Sequence, residues 1–147
     1  MPGPRVDFYV LAGADARQRL RYACRLVEKA YLLDHKVFVR LDTPVEAEAV
    51  DELLWTFADS SFVPHELTTA GTPPGAVVQV GAGEPPPGHA DLLVNLGSDV
   101  PAGFQGFARI AELVDADEER RRQGRERFRY YREHGLSPES HTVGAAG

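Results

Sequence analysis

The spacing of apolar residues changes several times along this chain, and each change predicts an element. Val6 to Leu11 is apolar at every position but Asp7 and rich in aromatic and β-branched residues. Such a run is too short for a helix and suits a strand covered on both faces. Leu20, Ala23, Cys24, Val27, Ala30 and Tyr31 then recur three and four apart, with Arg17, Arg21, Arg25 and Glu28 between them, the stripe of an amphipathic helix. Cys24 falls on its buried face, where a thiol serves packing. Lys36 to Leu41 reads as a second strand. After Asp42, Thr43-Pro44-Val45-Glu46 offers a cap acceptor, a proline at the first helical position and an acid able to reach back to the Thr43 amide, so a helix starts there. Its stripe is Val50, Leu53, Leu54 and Phe57, and it ends near Asp59-Ser60.

Three further strands are expected at Ala76–Val80, Asp91–Leu96 and Ala108–Val114, the last interrupted by Arg109 and Glu112. Pro73-Pro74-Gly75 and Pro85-Pro86-Pro87-Gly88 mark loops. A final helix spans Asp115 to His134, with acids in its first turn and arginines toward its end, the order that suits the helix dipole; Gly135 stops it. Alternating strands and helices predict one three-layer α/β domain over residues 1–140, a mostly parallel sheet flanked by helices. The link from Val80 to Asp91 is too short for a helical crossover, which leaves room for one antiparallel pair and so a mixed sheet. Residues 141–147 are expected to be a flexible tail.

A length of 147 residues suits a single domain, and 43% hydrophobic with 26% charged residues excludes a disordered chain. The lone Cys24 rules out an internal disulfide framework. The longest apolar stretch, Phe8 to Ala14, is short and lies between Asp7 and Asp15, which makes it a poor signal peptide or membrane span. A soluble cytoplasmic protein with no membrane partner is the expectation. A net charge of −6 argues against bulk attraction to nucleic acid. That average hides a reversal, because Arg120 to Arg132 holds seven arginines against Glu126 alone. The segment carries +6 and leaves the rest of the chain at −12.

Candidate chemistry is sparse. The loop after the first strand, Leu11-Ala12-Gly13-Ala14-Asp15, has one glycine and an acid where phosphate would sit. Gly81-Ala82-Gly83 begins like a dinucleotide loop, but Pro85 to Pro87 blocks the helix whose amino end would hold a pyrophosphate. The order is therefore Rossmann-like without a nucleotide site. Histidines 35, 65, 89, 134 and 141 make no metal spacing, and no Cys-x-x-Cys exists. Ser60 and Ser61 lack the glycines of a nucleophile elbow, and His65 beside Glu66 reads as a polar loop histidine. No catalytic residue, metal ligand or cofactor is assigned, and no enzyme is expected.

Two features catalysis does not use remain. Trp55 falls roughly 120° from the middle of its helix's apolar stripe and so faces away from the sheet. Phe62-Val63-Pro64 follows in a loop, either joining Trp55 in a binding surface or plugging the end of the sheet. On the last helix, Arg121, Arg125, Phe128 and Arg132 fall within about 60° of one another, with Arg129 and Arg122 flanking. Gly124 and Tyr131 lie on another side, where a small residue permits close approach to the sheet. Guanidinium groups around a ring can hold a carboxylate by bidentate bonds while the ring gives apolar contact. The same face could instead be a solvated one paired with Glu118, Glu119 and Glu126.

Leu54-Trp55, then Ser61-Phe62-Val63-Pro64-His65, then Gly-Arg-Glu-Arg-Phe-Arg-Tyr-Tyr-Arg at 124–132, resemble the chi subunit family of the bacterial DNA polymerase III holoenzyme. The likeness runs from the Asp7-Phe8-Tyr9 strand to about Gly135. It implies a non-catalytic adaptor of the clamp-loader assembly in DNA replication, with a nucleotide-binding-like fold and no nucleotide. In that family one surface binds the psi subunit and another the acidic, phenylalanine-ending tail of single-stranded-DNA-binding protein, so DNA is met only indirectly. The resemblance matches Trp55 and Phe62 to psi-facing positions, where a helicase-like repair protein competes, and Val63 and Pro64 of the same apolar loop are assigned to psi with them. It matches Arg121, Arg125, Phe128 and Arg129 to the tail pocket, and Arg132, on the same helical face, is assigned to the tail with them. Phe128 stands where the family has a tyrosine, which keeps the ring and loses the hydroxyl. The Asp115-Ala116-Asp117 segment is shorter than in well-known members, so apolar residues lining one side of the tail pocket do not transfer. The competing reading is a direct single-strand binder, with arginines on phosphates and Phe128, Tyr130 and Tyr131 stacked on bases. The −12 of the remainder opposes it.

Overall fold

A computed structural model describes residues 3–57, 63–67, 77–85 and 91–143. The chain runs β1 (Arg5–Leu11), α1 (Ala16–Leu32), β2 (Val37–Leu41), α2 (Pro44–Thr56), β3 (His65–Leu67), β4 (Val78–Ala82), β5 (Leu92–Asn95), β6 (Arg109–Val114), α3 (Glu118–Glu133) and β7 (Glu139–Val143), with a short 3-10 turn at Phe104–Gly106. The strands form one sheet in the order β3-β4-β2-β5-β6-β1-β7, and every pairing is parallel. The antiparallel pair does not form, because β4 and β5 are not neighbours: they flank β2 on either side. Nine residues separate Ala82 from Leu92.

Side chains alternate between two cores. On one face Val37, Val39 and Leu41 of β2, Leu92 and Val94 of β5, and Ala111 and Leu113 of β6 pack under Cys24 and Val27 of α1 and Val50 and Leu54 of α2. On the other, Phe38, Leu93, Ile110, Phe8 and Val114 meet Tyr131 of α3 and Phe104 and Phe107. These are the three layers expected. Asp15 caps α1 by accepting from the Arg17 amide at 2.9 Å. Thr43 caps α2 by accepting from the Glu46 amide at 3.2 Å; the Glu46 carboxylate accepts from the Thr43 hydroxyl at 2.9 Å, and not from the Thr43 amide as the sequence pattern suggests.

Two edge strands escape the sequence reading. β3 has only three residues, and β7 is half exposed with no apolar run. The segment from His141 expected to be a flexible tail is, through Val143, hydrogen-bonded sheet edge beside β1. His141 fastens it, its Nε2 lying 2.8 Å from Asp7 Oδ1. The expected helix end at Asp59-Ser60, the strand start at Ala76, the loops at 73–75 and 86–88 and the tail beyond 143 lie outside the described residues. Among the described residues no helix is long and apolar enough to cross a membrane.

An open parallel sheet ordinarily takes its ligand beyond the carboxyl ends of the strands. Two buried guanidinium groups lie near those ends. Arg19 donates to the carbonyls of Leu113 and Leu96, both at 3.1 Å. Arg40 donates to the Asp99 carbonyl at 2.9 Å, its carboxylate at 2.8 Å and the Gly83 carbonyl at 3.2 Å.

Candidate functional site

Helix α3 sits where it does because Gly124 lets it. A Cβ at Gly124 would meet Val114 Cγ2 at 2.8 Å, so a larger residue would lift the helix off β6. One side of α3 therefore seats deeply. Tyr131 is fully buried and donates its hydroxyl to Glu112 at 2.6 Å, and Arg127 donates to the same carboxylate at 2.8 Å. Asn95 adds a third donor at 2.9 Å. Glu112, which interrupts the apolar pattern of β6, is thus a buried charge with its partners supplied by α3 and β5. Burial and the Glu112 charge push the Tyr131 phenol far above its ordinary value. Its burial also removes Tyr131 from any role in stacking on bases.

The seven arginines of 120–132 divide by partner. Arg120 holds Asp115 through two bonds of 2.8 Å, Arg122 pairs with Glu119 and at 2.6 Å with Glu126, and Arg127 holds Glu112. The Asp115 bonds raise the Arg120 pKa, and although burial opposes it Asp115 itself is held below the usual carboxylate range. Arg121, Arg125, Arg129 and Arg132 are exposed, and none has a carboxylate within ion-pair distance among the described residues. These four line one open groove of about 610 Å³. Its apolar floor is Phe8 and Val10 of β1 with Val114 of β6, Ser140 of β7 closes the far side, and Phe128 projects into it. The Phe128 ring packs on Phe8 with centroids 5.1 Å apart, which holds it in place without burying it. Every residue the sequence reading assigned to the tail lines this groove. Arg122, placed as a flank, faces its glutamates.

The second assigned surface is less united. Trp55 is 47% exposed and lies against His65 with ring centroids 4.2 Å apart. His65 is a fastener, not a loop histidine: its Nδ1 is 2.6 Å from the Val63 carbonyl and its Nε2 2.8 Å from the Asp51 carbonyl, tying β3 to α2. Val63 is 0% exposed within the α1–α2 core. Its side chain is a core plug and offers no surface to a partner, a correction to its assignment beside Trp55. Pro64 is half-buried, and Phe62 lies outside the described residues.

Other reactive groups are occupied. Burial pushes the Cys24 thiol up to about 12, which leaves it inert. Asp7, Glu139 and His141 bring ligand atoms together near β7. Asp7 already accepts from Arg5 at 3.1 Å, Arg109 at 3.2 Å and His141. Burial works to raise its pKa, but these partners outweigh it and hold the carboxyl below its usual range. Two guanidinium groups on the central carboxylate oppose a metal ion there.

What the geometry offers is an anion-accepting groove with an aromatic centre. Known proteins match this chain over nearly its whole length. The family model described as DNA polymerase III chi subunit, HolC, matches residues 3–139. The DNA polymerase III subunit chi of Pseudomonas aeruginosa is 41% identical over 139 residues, covering 95% of this chain and 96% of the relative. That of Haemophilus influenzae is 28% identical over 94% of this chain and 96% of the relative, and that of Escherichia coli 24% identical over 78% of each. With the parallel α/β fold and a match over nearly the whole length in agreement, the chain belongs to the chi subunit family of DNA polymerase III, as an accessory subunit of the replicative holoenzyme.

Proposed function

We propose that this chi-family chain is an adaptor that takes the acidic, phenylalanine-ending tail of single-stranded-DNA-binding protein in the α3 groove and joins the clamp loader through psi at the Trp55 surface. The observation that carries the tail reading is the segregation of arginines: the four without carboxylate partners among the described residues are the four that line the groove around Phe128. A terminal carboxylate and neighbouring aspartates satisfy those guanidinium groups, and the last phenylalanine finds Phe8, Val10 and Phe128. Charge alone would give weak, salt-screened attraction; ring burial adds selectivity for a short disordered segment. Calorimetry with a synthetic tail peptide tests this. Arg125→Ala is expected to weaken binding at least tenfold with the fold intact, and unchanged binding would remove the site.

The psi surface rests on Trp55, an exposed indole braced by His65. Exposed aromatic residues of this kind dominate interface energies. Trp55→Ala is expected to abolish capture of psi, and of a helicase-like repair protein competing there, while the peptide still binds α3.

A further inference from the structure

We propose that the cavity between the carboxyl-terminal half of α1 and the amino ends of β5 and β6 is a binding site for a small aromatic carboxylate. Its volume is about 300 Å³, at the lower end of the range that holds small molecules, whereas a close-packed interior leaves few voids larger than a water. Small residues open it. Arg109, Ala111 and Leu113 alternate onto the α1 side of β6, and where its neighbour on that face is a leucine, Ala111 leaves space that Ala30 of α1 does not fill. Leu26 of α1 and Leu92 of β5 supply apolar wall. Tyr9 and Tyr22, with ring centroids 5.7 Å apart, give the cavity an aromatic side.

The polar groups on these walls are mostly donors. Arg109 holds Asp7 at 3.2 Å and donates to the Tyr9 hydroxyl, which keeps its own proton to give. The Tyr22 hydroxyl has no hydrogen-bond partner among the described residues; burial and the neighbouring Tyr9 raise its pKa, so it stays an O–H donor. Lys29 and His35 are exposed at the mouth, and among the described residues neither has a carboxylate within ion-pair distance. One acid lines the cavity, Asp91, and its Oδ2 already accepts from the Lys36 amide at 2.7 Å. Donors beside a ring pair select a flat apolar body that carries an acceptor. Since Arg109 is committed to Asp7, Lys29 is the cation left for an anion, and Asp91 counts against a second negative charge. A single carboxylate fits that balance; a phosphate dianion or a segment rich in aspartates does not.

Calorimetry and ligand-observed NMR of the whole chain with indole-3-acetate test the site. One site with a dissociation constant of about 1 mM or below is expected, and the uncharged indole-3-acetamide should bind about tenfold more weakly. Lys29→Met should weaken the acid about tenfold, leave the amide unchanged and keep the thermal midpoint, a pattern that a purely structural lysine would not give. Ala111→Leu fills the cavity and should abolish binding of both; the Lys29 variant decides the matter should the larger side chain prevent folding. Absence of saturation by about 5 mM, equal affinity for acid and amide, unchanged acid binding in Lys29→Met, or displacement of the acid by inorganic phosphate or by the tail peptide would each overturn the proposal. Because α1 and α3 cover opposite faces of the sheet, Arg125→Ala should leave indole-3-acetate binding unchanged, and either proposal can fail alone.

Discussion

Two sets of arginines share helix α3 and stand in opposite electrostatic situations. Arg120 and Arg127 point back toward the sheet and hold Asp115 and Glu112, both fully buried, while Arg122 bridges two glutamates along the helix. Arg121, Arg125, Arg129 and Arg132 rim a groove. The difference teaches that a basic helix is not one feature. Arg120 and Arg127 answer charges that folding has removed from water, so they belong to stability, while Arg122 is spent on exposed glutamates of its own helix. The groove set has no carboxylate within ion-pair distance among the described residues, although Glu133 lines the same groove, so most of its electrostatic capacity is left for a ligand.

The largest test of that division is Arg127→Ala. It leaves Glu112 buried beside Tyr131 and Asn95 without its ion-pair partner, and a loss of about 3–5 kcal/mol is expected in urea denaturation. Neutralising both partners, Arg127→Met with Glu112→Gln, should recover part of it. Gly124→Ala comes next. Forcing a methyl against Val114 should cost about 1–3 kcal/mol, with Val114→Ala in the same chain relieving it, as thermal midpoints would report. Asp7 sharpens the comparison through pH. Its folded-state pKa is depressed, so its stabilisation is present above the ordinary carboxylate pKa near 3.8 and disappears as pH falls through the folded value. Asp7→Asn should therefore lower stability at neutral pH and flatten its acid dependence. Smallest in stability is Arg125→Ala, expected within about 0.5 kcal/mol of the parent. A large destabilisation there would break the division between the two sets.

Much of the fold was legible because apolar periodicity is local. The stripe of α1, the Thr43-Pro44 start of α2 and strands β1, β2, β4, β5 and β6 all follow from residues within one element. β7 was not, because its residues carry no apolar pattern and its place depends on His141 reaching Asp7, far away in sequence. Arg127 went unassigned for a related reason. Its spacing with Gly124 and Tyr131, three and four residues apart, was the available sign that it faces the sheet, but its partner Glu112 lies on another element. Val63 shows the same ambiguity resolved the other way: a loop valine read equally as surface or plug until the α1–α2 core closed around it.

The chain's own order of residues determined that α3 would carry arginines on one side, a ring among them and a glycine behind, since helical geometry alone converts spacing into direction. Only the folded arrangement decided which of those arginines would meet a carboxylate, and it supplied the floor of the groove from β1 and β6 and its far side from β7. The physical reason is that pairing of charges and closure of a cavity are three-dimensional events among residues distant in sequence, which no local period encodes.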